Sequence, residues 1–312
     1  MGARPSKDMA ICLVVFNPAQ TKRLLMNYLY ARNKFELQGL PVFTIELVYE
    51  GREPEIPDAV HVRSNSVMFH KENLYRILVK RLPKQYTKLA FLDSDVFFKD
   101  PTWYEKTSEL LETHDIVQPF EEAHWLDLTY RETQLSRKTV CLMPGEKWSF
   151  EYHPGFAWCM RRKWYKHNGF FDYAVSGSGD TLSTAVWLKK KFPDKFQSLP
   201  KAICGEYFKY QGISKPRITY LKGYHLYHLY HGSRVNRQYA ERHKLLNVGV
   251  EIQKLVRHNA DGVMEWREPQ VWNPMFQAYF ENRHDDDLSV DVPPPQPQAQ
   301  TKKPAAIVCL SS

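Results

Sequence analysis

At 312 residues, 43% hydrophobic and 14% aromatic, the chain is long enough to bury a sizeable core, as one large α/β domain or two small ones. Its 43 basic and 35 acidic residues give a formal charge of +8, which suits an anionic ligand such as a nucleotide diphosphate. The basic residues fall in short scattered clusters (Arg161, Arg162 and Lys163; Lys189, Lys190 and Lys191) rather than the stripe of a nucleic-acid binder. The five cysteines are an odd number, widely spaced, with no CxxC pair, which argues against a disulfide framework or a zinc site and for a reducing compartment.

In chain order, residues 1–8 read as a flexible N-terminus and 9–282 as one domain. ICLVVF, ended by Asn17 and Pro18, reads as a strand, and TKRLLMNYLYARNKFELQG as a helix with Thr21 as cap and Gly39 as stop. VFTIELVYEG is a second strand, ENLYRILVKRLP a helix up to Pro83, and KLAFLDSDVFF one strand with Asp93 and Asp95 at its carboxyl end. A helix over DPTWYEKTSELLETH, a strand at DIVQPF, an irregular stretch to residue 150 and a strand at YHPGFAWCMRR follow. The glycine-rich SGSGD then leads into a helix at TLSTAVWLKKKF. RQYAERHKLLNVGVEIQKLVRHN carries the longest helical pattern, and residues 283–312, acidic and proline-rich, read as a disordered tail. The β-α-β alternation predicts a mostly parallel sheet covered on both faces by helices, with a helical C-terminal segment.

No run reaches the roughly 18 apolar residues of a membrane span, and no signal peptide is read, so the expected location is the cytosol or the cytosolic face of a membrane. MGARPS, with Gly2 and Ser6, matches a myristoylation pattern, and the final CLSS places Cys309 like a prenylated cysteine, although Ser311 is a poor aliphatic position.

The chemistry centres on AFLDSDVFFKD. Carboxylates set among Phe91, Leu92, Val96, Phe97 and Phe98 need a compensating partner, because an unpaired buried charge is costly. Side chains i and i+2 of a strand share a face, so Asp93 and Asp95 can hold one Mg²⁺ or Mn²⁺ with coordination positions left for phosphate oxygens. The plainer alternative has them cap a turn or pair with Lys99. His231 is positioned to complete a metal shell or touch a phosphate, whereas His225 and His228 read as partly buried, hydrogen-bonded side chains. Asp180 begins a helix, as a simple N-cap or as a general base. Lys71 with Asn73 could face a donor's phosphates at a helix N-terminus, against the alternative of a solvated lysine. Trp158 and Phe156 are candidates for stacking on a sugar ring, or for the core.

Taken together, KENLYRILVKRLP, KLAFLDSDVFF, VQPF, PGFAWCMRR, GSGD and HLYHGSRVNRQYAER resemble glycosyltransferases of the GT-A fold, particularly those with a galactosyltransferase-like C-terminal half, over residues 9 to 282. The resemblance implies a Rossmann-like nucleotide-sugar-binding α/β fold. It also implies an Mn- or Mg-dependent hexosyl- or pentosyltransferase working on a UDP- or GDP-sugar donor and a glycan or glycoconjugate acceptor. The D-x-D, Asp93 and Asp95, would hold the metal and the diphosphate, and Asp180 would be the acceptor-activating base. Many relatives have two acids in the glycine loop, where this chain has Gly179 before Asp180. The alternatives are a metal-dependent nucleotidyltransferase or nuclease and a non-catalytic carbohydrate-binding protein.

Overall fold

The computed structural model describes residues 7–192, 199–239 and 241–288. The first strand, β1 (Met9–Phe16), is apolar without interruption because both of its faces are covered. Ala10, Cys12 and Val14 enter one core cluster, and Met9, Ile11, Leu13 and Val15 the other. After it come α1 (Lys22–Glu36), β2 (Val42–Tyr49), β3 (Val60–Ser64), α2 (Lys71–Arg81), β4 (Lys88–Leu92), β5 (Val96–Phe98) and α3 (Trp103–Leu110). Next are β6 (Ile116–Gln118), β7 (Glu122–Leu126), β8 (Thr133–Lys138), β9 (Ala157–Arg161), α4 (Arg162–Asn168), α5 (Gly179–Trp187) and α6 (Cys204–Tyr210). The last are β10 (Ile218–Tyr220), β11 (His225–His228), α7 (Ile252–Leu255), β12 (Val256–His258), β13 (Met264–Trp266) and α8 (Pro269–Glu281).

Seven strands form the central sheet in the order β10-β6-β9-β4-β1-β2-β3, parallel except for β9, which runs against both β4 and β6. This is the expected α/β architecture. A smaller sheet, β5-β11-β7-β8, stands beside it. β7 and β8 are an antiparallel hairpin inside the stretch that reads as irregular. KLAFLDSDVFF is not one strand: β4 ends at Leu92 in the large sheet, β5 starts at Val96 in the small one, and Asp93–Ser94–Asp95 is the turn that carries the chain across. The two aspartates therefore do not share a strand face.

Other departures lie toward the C-terminus. The longest helical pattern folds as 3-10 turns over Glu241–Leu246, the short α7 and then β12, while the longest helix among the described residues is α1, at 15 residues. Lys7 and Asp8, expected as flexible, are anchored: the Lys7 ammonium donates to the carbonyls of Gln38 and Gly39, and Asp8 pairs with Lys88. Within the stretch expected as tail, Asp285 is only 4% exposed and Arg283 is half-buried. Asp286, rather than the Thr21 side chain, caps α1, accepting the N–H groups of Lys22 at 3.0 Å and Arg23 at 2.7 Å. Gly2, Ser6, Cys309 and Ser311 lie outside the described residues. Among those described, Cys12, Cys141, Cys159 and Cys204 are free thiols, and no helix is long and apolar enough to cross a membrane.

Candidate active site

A cleft of about 520 Å³ opens where β4 ends and the two sheets part. Strand pairing builds its floor. β11 runs antiparallel to β5 with His228 opposite Val96, so His228 lands beside Asp95, and the N–H of Leu229 donates to the Asp95 carbonyl at 2.8 Å. His231 follows as the chain turns out of the strand. Asp95 Oδ2 lies 3.0 Å from His231 Nε2 and 3.5 Å from His228 Nε2, and those two nitrogens are 3.1 Å apart.

These spacings fit a divalent cation. Ligand atoms about 2.1 Å from one metal and at right angles to each other stand about 3.0 Å apart. The second Asp95 oxygen, Oδ1, is buried with no hydrogen-bond partner among the described residues, and so is His228 Nδ1. Burial would raise the Asp95 pKa, but His228 and His231 hold it well below the usual carboxylate range. Burial lowers His228 to about 4, so its imidazole is neutral near pH 7, the form in which histidine ligates a metal. One carboxylate and two imidazoles suit Mn²⁺ or another transition ion better than an all-oxygen shell would. His231 Nδ1 faces Asp285 Oδ1 at 3.3 Å, the carboxylate support common behind metal-bound histidines, and one Arg237 nitrogen lies 2.7 Å and 2.6 Å from the two ring nitrogens.

The opposite wall is organised around Lys71. Its ammonium is 3.1 Å from Asp93 Oδ1 and 3.9 Å from Asp180 Oδ2. Burial works against its charge, but Asp93, Asp180 and Glu72 together raise its pKa. Asp93 thus has an internal cation and stands outside the Asp95, His228 and His231 triad. Burial nonetheless lifts it to about 6, against the pull of Lys71. For Asp180 the order reverses: burial would raise its pKa, and Lys71 and His153 bring it below the usual value. Asp180 Oδ1 accepts the N–H of Thr181 at 2.6 Å, and its carboxylate lies so close to Gly155 that any side chain there would collide with it.

The glycine loop is held rather than loose. Ser176 Oγ and Ser178 Oγ contact the two ring nitrogens of His243 at 2.8 Å and 3.1 Å, and the Arg242 guanidinium lies over Gly177. Gly177, at φ +91°, has no room for a Cβ, which would sit 2.6 Å from Arg242 Cζ.

Of the expected residues, Asp93, Asp95, Lys71, Asp180 and His231 all line the cleft. Asn73 does not reach it. It is 2% exposed, its amide donates to Gly262 O at 3.1 Å, and its carbonyl accepts from Met264 N at 2.9 Å, which pins β13 and leaves nothing for a phosphate. Trp158 is a core residue, edge-on to Trp187, whereas Phe156, at φ +71°, stacks on His228 with centroids 4.6 Å apart and lines the cleft. Lys99 stands over the Tyr227 ring at 4.0 Å rather than pairing with either aspartate. Sequence reasoning missed His228, Glu72, Arg237, Arg242 and Asp285. HLYHLYH carries a signal for the first, since a strand ending between two histidines three apart can turn both onto one site.

No family model matches the chain, and no curated protein matches it. Solved structures do. Drosophila β1,4-galactosyltransferase 7, as a mutant with manganese, UDP-Gal and xylobiose, aligns at 11% identity and TM-score 0.38 over 83% of this chain and 92% of its own. GalNAc-T7 with UDP, GalNAc and Mn²⁺ aligns at 10% and 0.38 over 71% and 43%. A glucose-1-phosphate thymidylyltransferase from Bacillus anthracis aligns at 9% and 0.32 over 68% and 85%.

Proposed function

We propose that the protein is a metal-dependent glycosyltransferase of the GT-A kind, moving a sugar from a nucleotide-sugar to a hydroxyl acceptor. The observation that carries this reading is the convergence of Asp95 Oδ2, His228 Nε2 and His231 Nε2 within 3.0 to 3.5 Å of one another in a large cleft lined by charged groups of both signs. Asp95, His228 and His231 would hold the cation, which when bound supplies charge neutralisation for a departing diphosphate, worth several kcal/mol. Arg237 and Arg283, on the same side, offer further positive charge to phosphate oxygens.

Across the cleft, the Lys71 ammonium faces both Asp93 and Asp180. In an inverting transfer, Asp180 Oδ2 would receive the acceptor's hydroxyl proton as that oxygen attacks the anomeric carbon; in a retaining one it would orient the acceptor. Its lowered pKa favours the second role, because a base works best when its pKa lies near the working pH.

Thermal melting with a panel of nucleoside diphosphates, each with and without Mn²⁺, tests the donor half of this reading. A ligand at 100 times its Kd adds about 2.7 kcal/mol, so UDP or GDP should raise the Tm clearly, and only with metal. A shift with oligonucleotides or glycans alone, and none with any nucleotide, would sink the assignment.

A further inference from the structure

The first turn of α2 places Glu72 in the wall of the cleft next to Lys71, and the residue is 5% exposed. Its carboxylate lies directly against Gly179, the residue before Asp180, and any side chain at 179 would collide with it. Gly179 opens α5 in ordinary helical geometry, and a Cβ there would run into the Glu72 carboxylate carbon, so a side chain at 179 would have to displace that carboxylate.

That carboxylate is poorly served. Among the described residues its only hydrogen-bond donor is its own backbone N–H. The nearby Lys71 ammonium is directed at Asp93 and Asp180. An ionised carboxylate can accept about four hydrogen bonds, and burying one with so few is costly.

We infer that Glu72 is a second carboxylate of the acceptor subsite, taking hydrogen bonds from the hydroxyl groups of a sugar held between it and Asp180. This rests on the transferase reading above and extends it to the class of acceptor, a polyol with neighbouring hydroxyls. Hydroxyl donors would supply hydrogen bonds that the protein does not give this carboxylate, and Phe69 and Tyr75 line the same cleft. Glu72 lies outside the Asp95, His228 and His231 triad, so its role is separate from holding the cation. Burial raises its pKa to about 7, as expected of a carboxylate waiting for donors that arrive with a ligand.

The test is thermal melting of the full chain, loaded with Mn²⁺ and UDP or GDP, on addition of methyl xyloside, galactoside, glucoside or mannoside, with glycerol as control. At least one glycoside should raise the wild-type Tm; Glu72→Gln should need tenfold more or lose the response, while its nucleotide and metal response stays intact. Supplying the carboxylate from the adjoining residue instead, as Glu72→Ala with Gly179→Glu, should restore part of the glycoside response that Glu72→Ala alone lacks. An unchanged response in Glu72→Gln, or none in the wild type, overturns the inference. Absence of any nucleotide and metal response in the wild type instead sinks the transferase reading beneath it.

Discussion

The two walls of the cleft solve the problem of buried carboxylates in opposite ways. On one, Lys71 serves Asp93 and Asp180, so the protein brings its own cation. On the other, Asp95 meets two histidines, of which His228 is kept neutral by burial, and one Asp95 oxygen has no partner among the described residues. Asp93 and Asp95 are two residues apart, and the turn at Ser94 between the sheets gives them different partners. The lesson is that a D-x-D is not one chemical unit: each carboxylate is defined by what the fold puts beside it.

Removing the metal-side carboxylate should have the largest effect. Asp95→Ala should lower sugar transfer about a thousandfold or more, the equivalent of some 4 kcal/mol, in a steady-state assay, with the melting profile showing a retained fold. Removing the internal cation should instead show in stability. Lys71→Met leaves Asp93 and Asp180 facing each other, and since these side chains are about a quarter exposed, the loss should be about 2 kcal/mol rather than the 3 to 5 of a fully buried pair. Denaturant unfolding would measure it.

Glu72 gives a pH signature. Its pKa is raised in the fold, from an ordinary 4.5 to about 7, so the native state favours the protonated form. The stability this contributes is fully present below pH 4.5 and is lost as pH rises to about 7. Glu72→Gln should therefore be more stable than wild type at pH 8, by something on the order of 2 kcal/mol, and not at pH 4. Equal differences at both pH values would refute the burial argument. The smallest effect belongs to Asp285→Asn, which removes charge behind His231 and should weaken Mn²⁺ binding about tenfold at the low end of such changes, read by calorimetry.

Much of this was legible in the sequence where local pattern and tertiary environment agree. The unbroken apolar β1, the helical spacing of α1 and α2 and the acidic pair following the apolar run to Leu92 gave the sheet and the position of the cleft, though not the turn between the aspartates. The sequence failed where long-range packing decides. Glycines 177 and 179 read as flexibility, yet they are spaces into which Arg242 and Glu72 fit. The helical periodicity after Arg237 was overridden because Arg242 and His243 turn inward to hold the glycine loop. DDD at 285–287 has the composition of a tail, but Asp285 meets the buried His231 and Asp286 the exposed start of α1, which no local signal announces.

The central claim is that the metal sits among Asp95, His228 and His231 rather than between the two aspartates. Pulsed electron paramagnetic resonance of the protein titrated with Mn²⁺ reads the ligand nuclei directly. The account predicts one tight Mn²⁺ with nitrogen coupling from imidazole that diminishes in His228→Ala and again in His231→Ala, and survives in Asp93→Ala. Tight Mn²⁺ without nitrogen coupling, or coupling indifferent to both histidines, would contradict it.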